Sequence, residues 1–299
     1  MDLDGDGHDD MISGSYWPGD LFWFRGLGGG MFAAGAKLQD ASGKDLNAGP
    51  EWKGNDKPEM DSLAAAPFAA DLDGDGDFDL LVGNIIGHVV LIPNEGTPTE
   101  PNFVGAHRKL LEAAGAELRV DGDAGPTMAD WNGDGLADLI VGAGDGAVSL
   151  YVNVGSRKEP KFAAAKRLLE PAADHGLLNT GLAPTRSGGR SKVCAADYDG
   201  DGQLDLLVGD FASVSEPEPT LSDEQFAEKT KLQSELQAIE QLLQKYDEQQ
   251  VKPDDPRMQR ANEKLSKVLE QLRPFQGGHQ MHGWVWLYRG KAGKAAARN

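Results

Sequence analysis

Cysteine is nearly absent from this chain: its 299 residues include only Cys194, which excludes an internal disulfide. Because Cys194 lies in an apolar run three residues before an aspartate-rich stretch, we expect a buried thiol. No segment approaches the ~18 consecutive apolar residues of a membrane span, and we expect no signal peptide within these residues. Basic residues are few, 29 Lys and Arg against 48 Asp and Glu, and the net charge of −19 disfavours nucleic acid and anionic membrane as partners.

Aspartate is abundant, and it is arranged in a nine-residue pattern, Asp-x-Asp/Asn-Gly-Asp-Gly-x-x-Asp, that occurs four times. The copies begin at residues 2, 71, 130 and 197, so the repeat length is 59 to 69 residues. A short apolar run ending in glycine follows each copy, at residues 11–14, 80–83, 139–142 and 206–209. Self-similarity at a long, regular period indicates a repeat architecture.

The pattern places oxygen-bearing side chains at positions 1, 3, 5 and 9 of a tight loop. Together with the backbone carbonyl of position 7 they suit Ca²⁺, which takes about six to eight oxygen ligands. Position 7 varies in chemistry, as expected if only its backbone oxygen is used, and glycines at positions 4 and 6 permit the positive φ of a sharp reversal. We therefore predict up to four structural Ca²⁺ ions. The candidate ligands are Asp2, Asp4, Asp6, His8, Asp10, Asp71, Asp73, Asp75, Asp77, Asp79, Asp130, Asn132, Asp134, Leu136, Asp138, Asp197, Asp199, Asp201, Gln203 and Asp205.

The EF-hand is the main alternative, and it requires a Glu at position 12 between two helices. Position 12 is Ser13, Val82, Val141 or Val208 within β-type runs, which excludes an EF-hand. A second alternative, that the Asp-Gly clusters only form turns, is weakened by four copies in one ligand register. We expect weaker binding in the third copy, where Asn132 removes one charge. We expect fraying and the weakest binding in the first copy, which has no preceding strand.

Short apolar segments between the loops predict antiparallel strands, and the second repeat shows the plan. Its strand A is 63–70, strand B is 80–82, strand C is 88–92, and strand D lies around Phe103-Val104. In the third repeat strand C is 148–152, and the loop after it echoes the loop after Asn94. The predicted fold class is all-β, a β-propeller of four-stranded blades at residues 1–40, 62–111, 124–170 and 191–290, the first and last incomplete.

These loops and strands resemble the FG-GAP/VCBS repeat family, the calcium-loop β-propellers also found in the head of integrin α-subunits. The resemblance covers nearly all of the chain outside residues 213–282. It implies a propeller, usually of seven blades, with Ca²⁺ in the A–B loops, in proteins that are mostly extracellular and serve adhesion or ligand binding. Four repeats are visible here, the first without strand A and the fourth ending after a strand C at 284–288, so we expect a partial propeller.

Residues 213–282 interrupt the fourth repeat between strands B and C. A capping box at Ser222–Gln225 predicts a helix start. Two sets of apolar residues at helical spacing then predict a helical hairpin. The two sets either pack only against each other or form a coiled coil that binds a partner. The sets are Leu232, Leu236, Ile239, Leu243 and Tyr246, and Met258, Ala261, Leu265, Val268 and Leu272. His279 and His282 have no third metal ligand nearby, so a flexible return linker is favoured over a metal site.

Chain reversal at each strand puts the A–B and C–D turns on one face and the B–C and D–A connections on the other. The calcium loops therefore lie on the first face. Exposed aromatic residues on the second face are candidates for binding a protein or glycan ligand, unless Tyr16 and Trp17 pack onto an adjacent blade. The second face carries Tyr16, Trp17, Ile85 and Ile86, and longer links with Trp52, Arg186 and Arg190.

The favoured function is a non-catalytic, calcium-stabilised module for interaction or adhesion in an extracellular, cell-surface or periplasmic setting, where calcium is abundant. No nucleophile–base pair accompanies the loops. The alternatives are a propeller-based enzyme acting on polysaccharide and a scaffold that recruits a partner through the helical hairpin.

Overall fold

The computed structural model describes residues 1–49, 60–172, 177–179, 185–215, 218–252 and 254–290, so Trp52 lies outside the described residues. The chain divides into two compact units, one of residues 1–176, 184–212 and 283–299, the other of residues 177–183 and 213–282. The described residues are mostly β-sheet with two α-helices. Neither helix in these ranges combines the length and the apolar character needed to cross a bilayer.

In the described residues four sheets of three or more strands follow one another along the chain, and their strands pair in antiparallel fashion except for one parallel pair in the fourth. The first contains β1 (Met11–Gly14), β2 (Leu21–Phe24) and β3 (Ala36–Lys37), and the second contains β4 (Ala66–Ala70), β5 (Asp79–Gly83), β6 (Val89–Ile92) and β7 (Lys109–Leu110). A hairpin of β8 (Glu112–Ala113) and β9 (Ala116–Glu117) leads to the third sheet, β10 (Gly125–Ala129), β11 (Asp138–Gly142), β12 (Val148–Tyr151) and β13 (Lys166–Leu169).

The fourth sheet is centred on a long strand, β16 (Asp205–Ser215). It pairs in antiparallel fashion with β15 (Gly189–Ala196) and β18 (Val285–Tyr288), and in parallel with β14 (Leu177–Asn179). A short strand, β17 (His279–His282), also pairs with β16. The flexible return linker expected around the two histidines is therefore wrong, because these residues form a strand.

Strand D of the second repeat lies six residues later than expected, at β7 rather than at Phe103. Phe103 makes an isolated bridge to Asn94 and is buried, 2% exposed. The Asn94 side-chain oxygen accepts hydrogen bonds from the N–H groups of Gly96 and Asn102 at 3.0 and 2.7 Å, which folds the C–D loop back on itself. The apolar Phe103 thus belongs to a structured loop, and strand D begins only after it.

The central strands of the second and third sheets are buried on both faces, which explains their continuous apolar runs. In β5, Leu80 and Val82 pack in a cluster with Leu3 and Leu21 of the first repeat. Leu81 points the other way and joins a cluster with Leu139 and other residues of the third repeat. β11 repeats the arrangement, and its Ile140 packs with Leu206 and Val208 of the fourth repeat. Each sheet is therefore held by apolar contact with the sheets before and after it.

A repeated set of backbone hydrogen bonds, the backbone clamp, also joins each sheet to the next. One residue near the start of each of these A strands has a positive φ: Ala64 (55°), Asp123 (47°) and Arg190 (53°). The N–H groups of these three residues donate to the carbonyls of Tyr16, Ile85 and Gly144 in the preceding repeat, at 2.7 to 2.9 Å. The next N–H groups, of Ala65, Ala124 and Ser191, donate to Ser15, Asn84 and Ala143 at 2.9 to 3.1 Å.

The glycine that ends the apolar run in the first three repeats is required by this clamp. A Cβ on Gly14, Gly83 or Gly142 would lie 2.6 to 2.8 Å from the carbonyl carbon of Ala65, Ala124 or Ser191 in the next repeat. None of these glycines has a positive φ, so close approach of two backbones accounts for the residue type. At the fourth copy, Gly209, the nearest atom would be the Lys192 oxygen at 3.7 Å, an ordinary contact.

The second unit contains α1 (Asp223–Glu248) and α2 (Pro256–Leu272), which pack against each other. The predicted capping box is confirmed: the Ser222 side chain accepts from the Gln225 N–H, and the Gln225 side chain accepts from the Ser222 N–H. The apolar cluster between the helices consists of Leu232, Leu236, Ile239, Leu243, Leu265, Val268, Leu272 and Phe275. Tyr246, which was predicted to belong to the first apolar set, is not part of this cluster. The Arg257 guanidinium lies over the Tyr246 ring, 5.8 Å from the ring centroid.

The expected burial of Cys194 is wrong, because its side chain is exposed. On β15 the neighbouring Val193 and Ala195 pack onto the apolar cluster shared with the third sheet. Alternation along the strand then directs Cys194 to the opposite face. An apolar run in sequence did not reveal which of its residues faced inward.

Candidate metal centres

All four aspartate loops reverse the chain through their paired glycines, as predicted. The glycines at positions 4 and 6 all have positive φ: Gly5, Gly7, Gly74, Gly76, Gly133, Gly135, Gly200 and Gly202. The position-5 aspartate of each loop, Asp6, Asp75, Asp134 or Asp201, accepts a hydrogen bond from the position-7 N–H at 2.8 to 3.0 Å. The N–H of each position-7 residue, His8, Asp77, Leu136 or Gln203, is therefore used within the loop whatever its side chain.

The position-9 aspartate ties the loop to the end of strand C. Asp10, Asp79, Asp138 and Asp205 are 0 to 6% exposed. One oxygen of each accepts from the position-2 N–H at 2.9 to 3.3 Å. The other accepts from the N–H of the second residue after strand C, Gly26, Asn94, Asn153 or Gly290, at 2.6 to 2.9 Å. Position 9 thus has a structural role that holds without any ion.

The position-1 aspartate closes three of the loops. Asp2, Asp130 and Asp197 each accept from the N–H groups of positions 5 and 6 at 2.9 to 3.1 Å. In the second loop Asp71 instead accepts from the guanidinium of Arg157 at 3.2 Å. Position 1 is therefore oriented toward the centre of the loop before any ligand binds.

Carboxylates converge in three of the four loops. Oxygens of Asp2, Asp4 and Asp6 lie within 4.8 Å of one another, as do those of Asp71, Asp73 and Asp75. In the fourth loop the converging set is Asp197, Asp199 and Asp205. The third loop, which the structure describes in full, gathers no such set of three, because Asn132 replaces the carboxylate at position 3.

Two buried oxygens show that these clusters fit a cation. Asp4 Oδ1 and Asp71 Oδ1 are inaccessible to solvent and have no hydrogen-bond partner. Burying a carboxylate oxygen without a partner costs folding free energy. A divalent cation would satisfy it, because three or four such oxygens can be ligands of one ion. An all-oxygen set with glycine-driven curvature favours a hard ion such as Ca²⁺ over a transition metal.

The electrostatics of the second loop point the same way. Burial raises the pKa of Asp77 to about 6, assisted by repulsion from Asp75 and Asp79. Burial likewise raises the pKa of Asp79 to about 6, with a further contribution from Asp73. In the third loop burial raises the pKa of Asp138. Negative charge gathered at this density is destabilising by itself, and a bound cation would offset it.

The aspartate pattern does not predict the arginines that contact these loops, which are Arg25, Arg157 and Arg289. Arg25 Nε lies 2.7 Å from Asp4 Oδ2, and its Nη2 lies 2.9 Å from Asp6 Oδ2. Arg289 Nη1 lies 3.3 Å from Asp199 Oδ2. Aligning the repeats by strand C would have found two of the three, because Arg25-Gly26 and Arg289-Gly290 occupy the same place after that strand.

The opposite face carries the B–C turns. Tyr16 and Trp17 are 58% and 64% exposed, so the alternative that they pack onto an adjacent sheet is wrong. The backbone of this turn accepts hydrogen bonds from the second repeat through the carbonyls of Ser15, Tyr16 and Pro18. Ile85 and Ile86 of the next B–C turn are half-buried. Aromatic surface is thus available on the face away from the aspartate loops.

Comparison with known proteins agrees with this geometry. The FG-GAP-like repeat family matches residues 2–82 and 130–208, and both segments contain complete aspartate loops and strand B. Integrin alpha-4 of Xenopus laevis is 32% identical over 166 residues, which is 51% of this chain and 15% of the relative. The match to the relative is therefore confined to a small part of its length. Repeated loops, the glycine-dependent clamp and the family match together show that the chain belongs to the FG-GAP-like repeat family.

Proposed function

We propose that this chain is a calcium-stabilised, non-catalytic interaction module of extracellular or cell-surface location, and that its sheets act as blades of a β-propeller. The observation that carries the proposal is the convergence of three carboxylates around a buried, unpartnered oxygen in the first and second loops. The same loop recurs at every A–B turn, so each ion would serve one sheet. Similarity to an integrin subunit supports the interaction role and the location.

Calcium is proposed as structural because of where the loops lie. Each loop leads into strand B, in the last three repeats from strand A, and its position-9 aspartate binds the end of strand C. An ion shared by positions 1, 3 and 5 would fix the loop to this three-strand junction and offset carboxylate repulsion. Candidate ligands in this arrangement are the aspartates at positions 1, 3, 5 and 9, Asn132, and the backbone carbonyls of His8, Asp77, Leu136 and Gln203.

Thermal unfolding with calcium and with EGTA tests the calcium part. Sites with dissociation constants of about 0.1–1 mM would contribute about 1–2 kcal/mol each at 5 mM Ca²⁺. Several occupied sites then raise the Tm by at least ~5 °C. Asp73→Ala with Asp75→Ala should remove one ion from the stoichiometry measured by calorimetry, whereas Asp121→Ala, an exposed aspartate outside the loops, should not. An unchanged Tm at 5 mM Ca²⁺ would refute the proposal.

The ligand is proposed to be a protein or glycan bound on the face opposite the loops. The exposed rings of Tyr16 and Trp17 support this, because aromatic side chains dominate binding hot spots. A glycan array probed with the wild type and with Trp17→Ala tests the glycan case, and Met31→Ala, equally exposed but remote in sequence, is the control. Polysaccharide turnover that is lost on changing this face, but retained on changing the loops, would favour an enzyme instead.

A further inference from the structure

We propose that Arg25 and Arg289 are internal competitors for the cation, which divide the four loops into two affinity classes. This inference rests on the proposed calcium binding and deepens it. In the first and fourth loops the ion would have to displace a guanidinium already paired with ligand carboxylates. In the second and third loops the equivalent residue of the same sheet carries no positive charge.

The first loop provides the strongest contacts. Arg25 pairs with the ligands at positions 3 and 5 through two nitrogens, at 2.7 Å to Asp4 and 2.9 Å to Asp6. These are two of the three carboxylates that converge in this loop. The Arg25 side chain is 53% exposed, so it can move into solvent when an ion arrives. A surface ion pair of this kind is weak enough to be broken and strong enough to shift a dissociation constant.

The fourth loop repeats the arrangement by position. Arg289 and Arg25 each precede the glycine whose N–H donates to the position-9 aspartate, Gly290 and Gly26. Strand C therefore delivers both guanidinium groups to the position-3 carboxylate of their own loop. The Arg289 contact is single and longer, 3.3 Å to Asp199, in a side chain that is 69% exposed. Its effect on calcium binding should be smaller than that of Arg25.

The second and third loops differ at this place. The equivalent residues are Pro93 and Val152, which carry no charge. The second loop is contacted by Arg157, which comes from another repeat, forms its ion pair with position 1 alone, at 3.2 Å, and is 74% exposed. That loop also has a fifth carboxylate that is buried, Asp77, whereas the fifth carboxylate of the first loop, Asp9, is exposed and pairs with the N-terminal amine. The second loop should therefore have the highest affinity for calcium. The first and fourth loops should have a lower affinity than the number of their carboxylates alone would give.

Amide NMR during a calcium titration can follow the loops separately. The N–H groups of Gly7 and Gly202 donate to the position-1 aspartates Asp2 and Asp197 at 2.9 Å, and they report on the first and fourth loops. In Arg25→Gln the midpoint of the Gly7 shift should fall about fivefold in calcium concentration, and that of Gly202 should not move. Arg289→Gln should lower the Gly202 midpoint about twofold and leave Gly7 unchanged.

Two controls make the test specific. Arg119→Gln removes an exposed arginine that bonds the Ile86 carbonyl, and it should change neither midpoint. In ~0.5 M KCl the difference between wild type and Arg25→Gln should shrink, because salt screens exposed ion pairs. If no loop glycine responds to millimolar calcium, the proposed function fails. If the glycines respond but Arg25→Gln leaves the Gly7 midpoint unchanged or raises it, calcium binding stands and the competitor role is overturned.

Discussion

Substituting alanine for the glycine that ends strand B should separate two adjacent sheets. At Gly83 the added Cβ would lie 2.6 Å from the carbonyl carbon of Ala124, still closer to its oxygen, and 2.9 Å from Pro126 Cδ. Two of these three atoms are backbone, so no side-chain rotation relieves the overlap. The third sheet would have to move away by about 1 Å to reach ordinary van der Waals distance.

The cost of Gly83→Ala follows from what that movement breaks. The N–H groups of Asp123 and Ala124 donate to Ile85 and Asn84 at 2.7 and 2.9 Å in the same clamp. Lengthening both by about 1 Å removes two hydrogen bonds worth about 1 kcal/mol each. Overpacking adds about 1–3 kcal/mol, and the alanine returns about 0.5–1 kcal/mol through its lower backbone entropy in the unfolded chain. The expected net loss is about 3 kcal/mol.

Urea unfolding of Gly83→Ala and Gly209→Ala, both in EGTA, measures the difference. Gly209 occupies the same place in the fourth repeat, but its Cβ would meet nothing closer than 3.7 Å. Gly209→Ala should therefore be neutral or stabilising by up to about 1 kcal/mol. Equal destabilisation by both substitutions would show that strand B itself needs glycine, and the argument from close approach would be wrong.

Three further predictions concern other parts of the chain. Asp138→Ala leaves the N–H groups of Trp131 and Asn153 without their buried acceptor and should cost about 3 kcal/mol in EGTA. The exposed Asp134→Ala should cost under ~1 kcal/mol there; equal urea midpoints would contradict the structural role of position 9. Ala64→Gly should stabilise the protein slightly, by about 0.5 kcal/mol, because φ is 55°; a lower Tm would refute this. Ser222→Ala should quicken amide exchange at residues 223–226 about fivefold by loss of the cap, and Thr220→Ala should not; no change would contradict the capping box.

Local chemistry made the aspartate loops predictable. A tight reversal needs positive φ at two fixed positions, and only the glycine pairs supply it without strain, so Gly5 and Gly7 and their equivalents could be assigned from spacing. The capping box at Ser222 was readable for the same reason, since it joins residues three apart. The position of strand D and the exposure of Cys194 could not be predicted from the sequence. The first depends on how the Asn94 side chain folds a loop, and the second on which face of β15 meets the third sheet.

The sequence by itself determined the repeated loop, the candidate ligand types and the curvature of each loop, because these depend on residues within nine positions of one another. Only the tertiary structure decided why the apolar run ends in glycine, since the reason lies in a carbonyl of the next repeat. It also decided that the position-9 aspartate accepts a hydrogen bond from the end of strand C, and that Arg25 and Arg289 contact the loops of their own sheets. Contacts between residues 15 to 90 positions apart depend on how strands and sheets pack, which a local pattern does not encode.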